Sequence, residues 1–475
     1  MKVLGNLSLR RFDMAYKIID YSRLKDTFKF TDNDKKTRLK HTSGDKYKIL
    51  PYLTSNNEID CFSGVIGEFS RTVIGMEYNA LEKTKLIDRI SSKVVSHNKK
   101  DILSSVINEL FFNENDELII AHPAFFNYVP SSDQAASLGG FLADILVTDE
   151  LKEKIRNKYN KEPENVILKL VYKLLPPLEK KNKKPNNNQL YIENIRNQFE
   201  NDLSFLLENE KLFLNHFEDL LLYYYFYYIT QLTLHLDQFF SEEKLVYPVY
   251  YNLDLEKKRP KTRKSYYEGW KIIEARLPKL FAHVNCLEII NCIKSNNEFM
   301  SYQGLRNFIE GLNKEDKDQL CLEIQALVRE YQERIQDVSW DEYKPKDGGY
   351  DEPIFNYVRS LFQHIDYQFK KSGRKNRAIN FYKGFETFAK QYFLKQSGPS
   401  GYTLNLKQDF FIFLTKLCIN KCEKIALKDL FSEFEKRGIY FDRDSRKIII
   451  GLYEKLNILE KKSDSGDAQY VKYIS

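Results

Sequence analysis

The chain lacks a GxxxxGK[ST] phosphate-binding loop, so nucleotide hydrolysis by this polypeptide is not expected. Gly139-Gly140 and the Gly64/Gly67 pair are too sparse to replace one. Cysteine is scarce: Cys61, Cys286, Cys292, Cys321, Cys418 and Cys422 are scattered. With no secretory signal to read, this usage predicts a disulfide-free cytoplasmic protein. Closely spaced ligand pairs of the zinc type are also missing. His283, Cys286 and Cys292 fall on one amphipathic stretch, and Cys418 and Cys422 read as core plus helix end, so no metal or other cofactor is expected. No nucleophile elbow turns Ser131, Ser132 and Asp133, with His122 nearby, into a hydrolase site. Nor does one sign of charge dominate: 74 basic residues against 67 acidic ones give a net of only +7, so clustering has to decide whether a polyanion is bound.

Long hydrophobic runs are absent but for residues 220–236, LLLYYYFYYITQLTLHL. Thr230, Gln231, Thr233, His235 and five tyrosines interrupt that run, and its seventeen residues are at the short limit for crossing ~30 Å of hydrocarbon. It predicts a helix buried in a helical domain, with tyrosine hydroxyls reaching the margins, and no membrane partner. The order Asp254-x-Glu256-x-Lys258 is that of some metal-dependent nucleases, in which converging carboxylates hold Mg²⁺. Spacing this short arises readily by chance in a chain with 30% charged residues, and no catalytic residue is assigned from it.

With 475 residues the chain is long enough for two to four domains, each with its own core. Two polar stretches, PPLEKKNKKPNNN (176–188) and KQSGPSGYT (395–403), read as linkers. They suggest a mixed α/β N-terminal domain (1–175), a helical central domain with basic loops (189–394) and a C-terminal domain (404–475). The fold class is therefore mainly α, in a multi-domain chain with a mixed N-terminal part. Residues 188–207 and 318–335 repeat apolar side chains at three and four, the pattern of helices packed on helices.

The C-terminal domain has a definite order. Residues 409–420 read as a first helix. In the second, Leu427, Leu430, Phe431 and Phe434 form one face and Gly438 is the stop. Asp442 or Asp444 caps a third, whose stripe is Ile448, Ile449, Leu452, Tyr453 and Leu456. The closing LEKKSDSGDAQYVKYI reads as a β-hairpin with SDSGD at its tip. Three helices and a hairpin in this order predict a winged helix-turn-helix, with Arg443, Arg446 and Lys447 on the third helix as candidate DNA contacts. Residues 403–475 carry 14 Lys/Arg and 11 Asp/Glu, and Asp464 and Asp467 sit at the hairpin tip, so electrostatics favour DNA only weakly.

Two further basic clusters are candidate DNA-binding segments. KKRPKTRKSYYEGW places Lys257, Lys258, Arg259, Lys261, Arg263 and Lys264 before Tyr266, Tyr267 and Trp270. Cations that displace counterions, beside rings able to stack on bases, suit a nucleic acid; the alternative is a solvated loop whose tyrosines begin a core face. KKSGRKNR contributes Lys370, Lys371, Arg374, Lys375 and Arg377, and reads equally as an exposed helix connection.

The phrases HTSGDKYKILPY, FSGVIGEFSR, LFAHVNCLEIIN and, most specifically, RGIYFDRDSRK…LYEKLN…KKSDSGDAQYVKYI resemble the G subunit of phosphorothioation-dependent DNA restriction systems, the DptG or DndG family. The resemblance runs through most of the chain. It implies one component of a bacterial three-subunit complex that attacks DNA lacking sulfur in its backbone, with partner subunits that resemble ATPases and a DNA translocase. It supplies no catalytic residues for numbered positions here. The expected role is a non-catalytic DNA-binding subunit; the alternatives are a protein-only scaffold of that complex or a metal-dependent nuclease subunit.

Overall fold

In the computed structural model, residues 16–33, 36–42, 44, 46–51, 59, 61–93, 100–182, 187–241, 244–256, 261–295, 298–398, 401–461 and 469–474 are described. The chain is mainly helical. It divides into two compact units: one comprises residues 1–47, 239–242 and 279–378, the other 48–238, 243–278 and 379–475. Neither polar stretch that reads as a linker marks a limit of these units. Around 176–188, Glu179–Lys180 pairs antiparallel with Met76–Glu77, and the Lys48 N–H donates to the Asn187 carbonyl. Around 395–403, Leu394–Gln396 pairs antiparallel with Tyr402–Leu406. At the described residues of both stretches backbone pairing replaces the loose connection that composition suggested, because a strand needs few apolar side chains when its neighbours supply the hydrogen bonds.

The larger unit is built on the helix Glu210–Leu236, which starts where the Asn209 side chain accepts the Leu212 N–H at 3.0 Å. From Leu220 to Leu236 every side chain is buried. Most of the polar ones have hydrogen-bond partners, near or distant in sequence, as burial of a hydroxyl or amide demands. Thr233 donates to the Ile229 carbonyl at 2.7 Å, Gln231 exchanges hydrogen bonds with the Tyr247 backbone, and Tyr228 donates to the Ile49 carbonyl at 2.9 Å. Tyr224 donates to Asp202 at 2.7 Å. The tyrosine-rich run is thus a core helix whose hydroxyls end on fixed acceptors. Among the described residues, no helix is long and apolar enough to cross a membrane.

Helices Ser63–Ile74 and Asp133–Leu146 pack closely in the same unit. A Cβ on Gly139 would lie 2.4 Å from the Val65 carbonyl oxygen, and one on Gly67 2.4 Å from that of Val129. Gly64, Gly67 and Gly139 are therefore points of close backbone approach, not a ligand loop. A satellite core joins helices Lys83–Lys93, Lys100–Phe111 and Val166–Leu174 through Leu86, Ile90, Ile107, Phe111 and Val171.

In the smaller unit, helix Leu280–Ile290 is buried on all sides and packs against Pro353–Lys371, which also packs on Lys314–Arg334. Its His283 ring stacks on Phe362 at 4.2 Å, and burial pushes the Cys286 thiol up to about 12. A neutral thiol inside a packed helix bundle is a core side chain. The buried carboxylate of Glu323 collects the backbone N–H groups of Lys17, Ile18 and Ile19, anchoring the segment before the first described helix.

Candidate nucleic-acid interface

The C-terminal part of the larger unit begins with strand Tyr402–Leu406, which pairs in parallel with Asn252–Leu253. Helix Gln408–Ile419 follows, then strand Lys424–Ala426, helix Leu427–Lys436, strand Ile439–Tyr440, helix Arg443–Lys455 and the strands Leu459–Lys461 and Gln469–Lys472. Helix Leu427–Lys436 buries Leu430, Phe431 and Phe434, and ends before Gly438, whose φ of +75° matches its role as a stop. Asp442 caps helix Arg443–Lys455 by accepting the Ser445 N–H at 3.0 Å. Strands Leu459–Lys461 and Gln469–Lys472 pair antiparallel, and the latter also pairs with Lys424–Ala426. The third strand was not legible in the sequence because KIA, three residues long, carries too little pattern. The SDSGD tip lies outside the described residues.

The helix Arg443–Lys455 turns Ile449, Leu452 and Tyr453 inward. Arg443 and Lys447, four residues apart on the other side, are exposed, and neither forms an ion pair with a described residue. Arg446 is engaged elsewhere: it donates to Glu435 at 2.7 Å and lies 4.6 Å over the Phe431 ring. Its contribution is to hold two helices together, with part of the guanidinium still exposed.

Arg263, expected as a DNA contact, is buried, with 7% of its side chain exposed. Its guanidinium donates to Asp442 at 2.9 Å and 2.5 Å, to Ser445 at 2.7 Å, and to the buried carboxylate of Glu256. Burial opposes the charge, yet hydrogen bonds to Asp442 and Glu256 raise the Arg263 pKa further above its ordinary value. Against the effect of its own burial, the Arg263 guanidinium and the Ser445 and Ser265 backbone N–H groups hold Asp442 below the usual carboxylate range. With four hydrogen bonds directed to Asp442, Glu256 and Ser445 and 7% of its side chain exposed, Arg263 serves as an internal strut and not as a phosphate contact. It pins the basic segment to the first turn of helix Arg443–Lys455, so the exposed Lys261 and Lys264 belong to the same end of that helix as Arg443 and Lys447. Lys257, Lys258 and Arg259 lie outside the described residues.

The turn after Arg263 is a short helix, Lys264–Tyr267, capped by Glu268 and followed by Gly269. A Cβ at Gly269 would lie 2.4 Å from the Ser265 carbonyl oxygen and 2.8 Å from that of Tyr250. Glycine there lets the basic segment lie against strand Val249–Tyr250, which pairs in parallel with Ile439–Tyr440. Period-two alternation buries Val249 and Ile439 and turns Tyr250 and Tyr440 outward as direct neighbours, their centroids 5.8 Å apart. Sequence reading missed this pair: each strand is two residues long, and only the alternation Val-Tyr and Ile-Tyr hinted at it. Trp270, expected with the aromatic set, is 1% exposed and belongs to the core.

The second cluster lies in the smaller unit. Lys370 pairs with Asp366 at 2.5 Å and Arg374 with Asp337 at 2.7 Å. Arg377 donates to the His41 carbonyl at 3.0 Å and lies over the Phe281 ring. Lys371 and Lys375 are exposed. Two of the five cations therefore have acidic partners and a third caps a carbonyl, as an exposed helix connection would have it.

The nuclease-like carboxylates do not converge. Asp254 pairs with Lys395 and accepts from Asn405, while Glu256 is enclosed by Arg263, Ser445 and the Leu253 N–H. Among the described residues no group of three or more His, Cys, Asp or Glu side chains is arranged to hold a metal ion. Near His122, Ser132 caps helix Asp133–Leu146 and Ser131 donates to the Gly64 carbonyl. His122 Nε2 lies 2.8 Å from the Lys161 carbonyl oxygen and its Nδ1 accepts the Ala124 N–H at 3.2 Å, so both ring nitrogens are engaged by backbone groups.

No protein-family model matches the chain, and no curated protein matches it.

Proposed function

We propose that this chain is a non-catalytic DNA-binding subunit of a bacterial phosphorothioation-dependent restriction complex, in which ATPase and translocase subunits supply the energy and the cutting machinery acts on unmodified DNA. The C-terminal elements function in this reading as a winged helix-turn-helix, with Arg443–Lys455 as the helix that meets DNA. One observation carries the DNA-binding role: Arg443 and Lys447 are exposed on that helix, and Arg263 fastens the basic segment bearing Lys261 and Lys264 to its first turn. Cations gathered at one end of a helix neutralise neighbouring phosphates together. The membership of a restriction complex rests on the resemblance of the closing phrase RGIYFDRDSRK…KKSDSGDAQYVKYI.

The test is binding of the purified chain to duplex DNA, with and without backbone sulfur, at two salt concentrations. Replacing Arg443 and Lys447 by Gln should weaken binding and reduce the slope of log affinity against log salt by about 0.9 for each phosphate that is no longer neutralised. Retention of affinity and slope by that variant ends the proposal for this helix. A protein-only scaffold is favoured by a separate observation: Ile102, Val106 and Leu110, spaced by four on helix Lys100–Phe111, are 59%, 39% and 51% exposed. On that reading the purified chain shows no salt-sensitive DNA binding at all.

A further inference from the structure

Beside the helix Arg443–Lys455, the larger unit holds an aromatic surface that duplex binding leaves unused. Tyr250 and Tyr440 project together from paired strands, both half-exposed, with ring planes 47° apart. Tyr267 is 44% exposed, yet its hydroxyl donates to the Thr262 carbonyl at 2.6 Å, so the phenol is anchored and the ring faces outward. Tyr266 meets it edge to face at 6.4 Å. Lysines lie over two of these rings: Lys264 Nζ is 5.1 Å from the Tyr250 centroid and Lys271 Nζ 4.9 Å from that of Tyr266. Lys264 Nζ donates to the Tyr250 hydroxyl at 3.4 Å, and this hydrogen bond raises the Lys264 pKa. The ammonium therefore stays charged beside the rings. Of the nearby acids, Glu435 is paired with Arg446, and Glu268 faces Lys264 at 3.9 Å.

Rigid outward rings with ammonium groups beside them are poorly suited to a base-paired duplex, whose bases present only their edges. They suit an unpaired nucleobase, which stacks on a ring while the lysine meets its phosphate. We infer that Tyr250, Tyr440, Tyr266 and Tyr267 form a stacking platform for unpaired bases next to the duplex-binding helix, and that the preferred ligand is a duplex–single-strand junction in DNA. This rests on the DNA-binding reading above. The two parts have separate chemistry. Arg443, Lys447 and Lys261 engage the backbone of the paired portion, Lys264 meets the phosphate at the junction, and the tyrosines engage the first unpaired bases. Gly269 makes the arrangement possible, since it alone lets the Lys264–Tyr267 turn lie against the Tyr250 strand.

Fluorescence anisotropy with the full chain, comparing a blunt duplex with the same duplex carrying a single-stranded tail, tests the inference. The tailed DNA should bind about five-fold or more tighter, given one or two stacked bases. Tyr250→Ala and Tyr267→Ala should each reduce that excess while leaving blunt-duplex affinity unchanged, and Tyr250→Phe should keep it because the ring remains. A 2-aminopurine at the first unpaired position should be quenched by the parent and by Tyr250→Phe, but less by Tyr250→Ala. Equal affinity for tailed and blunt DNA, or a tail preference that survives both alanine substitutions, overturns the platform and leaves duplex binding standing. Failure to bind either DNA removes the DNA-binding reading itself.

Discussion

Arg263 and Asp442 are joined by two hydrogen bonds, of 2.9 Å and 2.5 Å, across 179 residues of sequence. Asp442 is at once the cap of helix Arg443–Lys455 and the anchor of the basic segment. One carboxylate thus couples helix formation to the placement of Lys261 and Lys264. Glu256, buried on the other side of the guanidinium, makes the pairing obligatory, because an unpaired charge there has no water to turn to.

Arg263→Met should therefore destabilise the larger unit by about 3–5 kcal/mol, the cost of leaving buried carboxylates without their partner. Arg263→Lys should restore little, since an ammonium cannot present a planar fork to Asp442, Ser445 and Glu256 together. Urea denaturation of both variants checks this. A destabilisation below about 1 kcal/mol for Arg263→Met contradicts the obligatory pairing.

Arg437 and Asp202 form a second buried pair, with Arg437 donating to Asp202 at 3.0 Å and 2.5 Å. Burial opposes the Arg437 charge, but the Asp202 carboxylate raises its pKa well above the ordinary value. Asp202→Ala should cost about 3–5 kcal/mol, and Arg437→Met in the same chain should recover part of that stability. Thermal melts of the singles and the double give the coupling directly.

Gly139→Ala and Gly451→Ala make a paired prediction. The first adds a methyl group 2.4 Å from the Val65 carbonyl oxygen and should destabilise by about 1–3 kcal/mol or more through overpacking. The second adds a methyl group with no atom within 4 Å, inside a helix, and should stabilise by about 0.5–1 kcal/mol. Opposite shifts in denaturation midpoint are the expected outcome.

Acid should weaken the smaller unit before the carboxylates titrate. His41 Nε2 lies 2.7 Å from the Tyr331 hydroxyl, which donates to Gln368, so Nε2–H of the imidazole is the donor. Burial first, then the charges of Arg374 and Arg377, lower its pKa well below the ordinary value, and burial lowers that of His364. A base with a lowered folded pKa takes up its proton first in the unfolded chain. Stability is therefore full above about pH 6.5 and falls below it, by up to ~1.4 kcal/mol per pH unit for each histidine. Urea midpoints at pH 7.5 and 5.5 should differ accordingly, and His41→Gln should flatten the dependence.

How far the sequence was legible varies with element length. The helix around 220–236, the stripe Leu427, Leu430, Phe431 and Phe434, the stop at Gly438 and the cap at Asp442 all appear where periodicity and capping chemistry place them. The strands Lys424–Ala426, Val249–Tyr250 and Ile439–Tyr440 were not legible, since two or three residues show no period. The candidate site split the same way. Arg443 and Lys447 are exposed as their helix positions require, while Arg263 and Trp270, adjacent to exposed lysines and tyrosines in sequence, are buried.

By itself the sequence determined the helical character of the chain, the buried tyrosine-rich helix and the order of the C-terminal helices, because these depend on contacts three or four residues apart. Only the tertiary structure decided which cations are free to meet a ligand and which are struts. That choice depends on partners such as Asp442 and Asp202, which stand 179 and 235 residues from their arginines. A side chain's own neighbours along the chain carry no record of a carboxylate that folding brings from so far away.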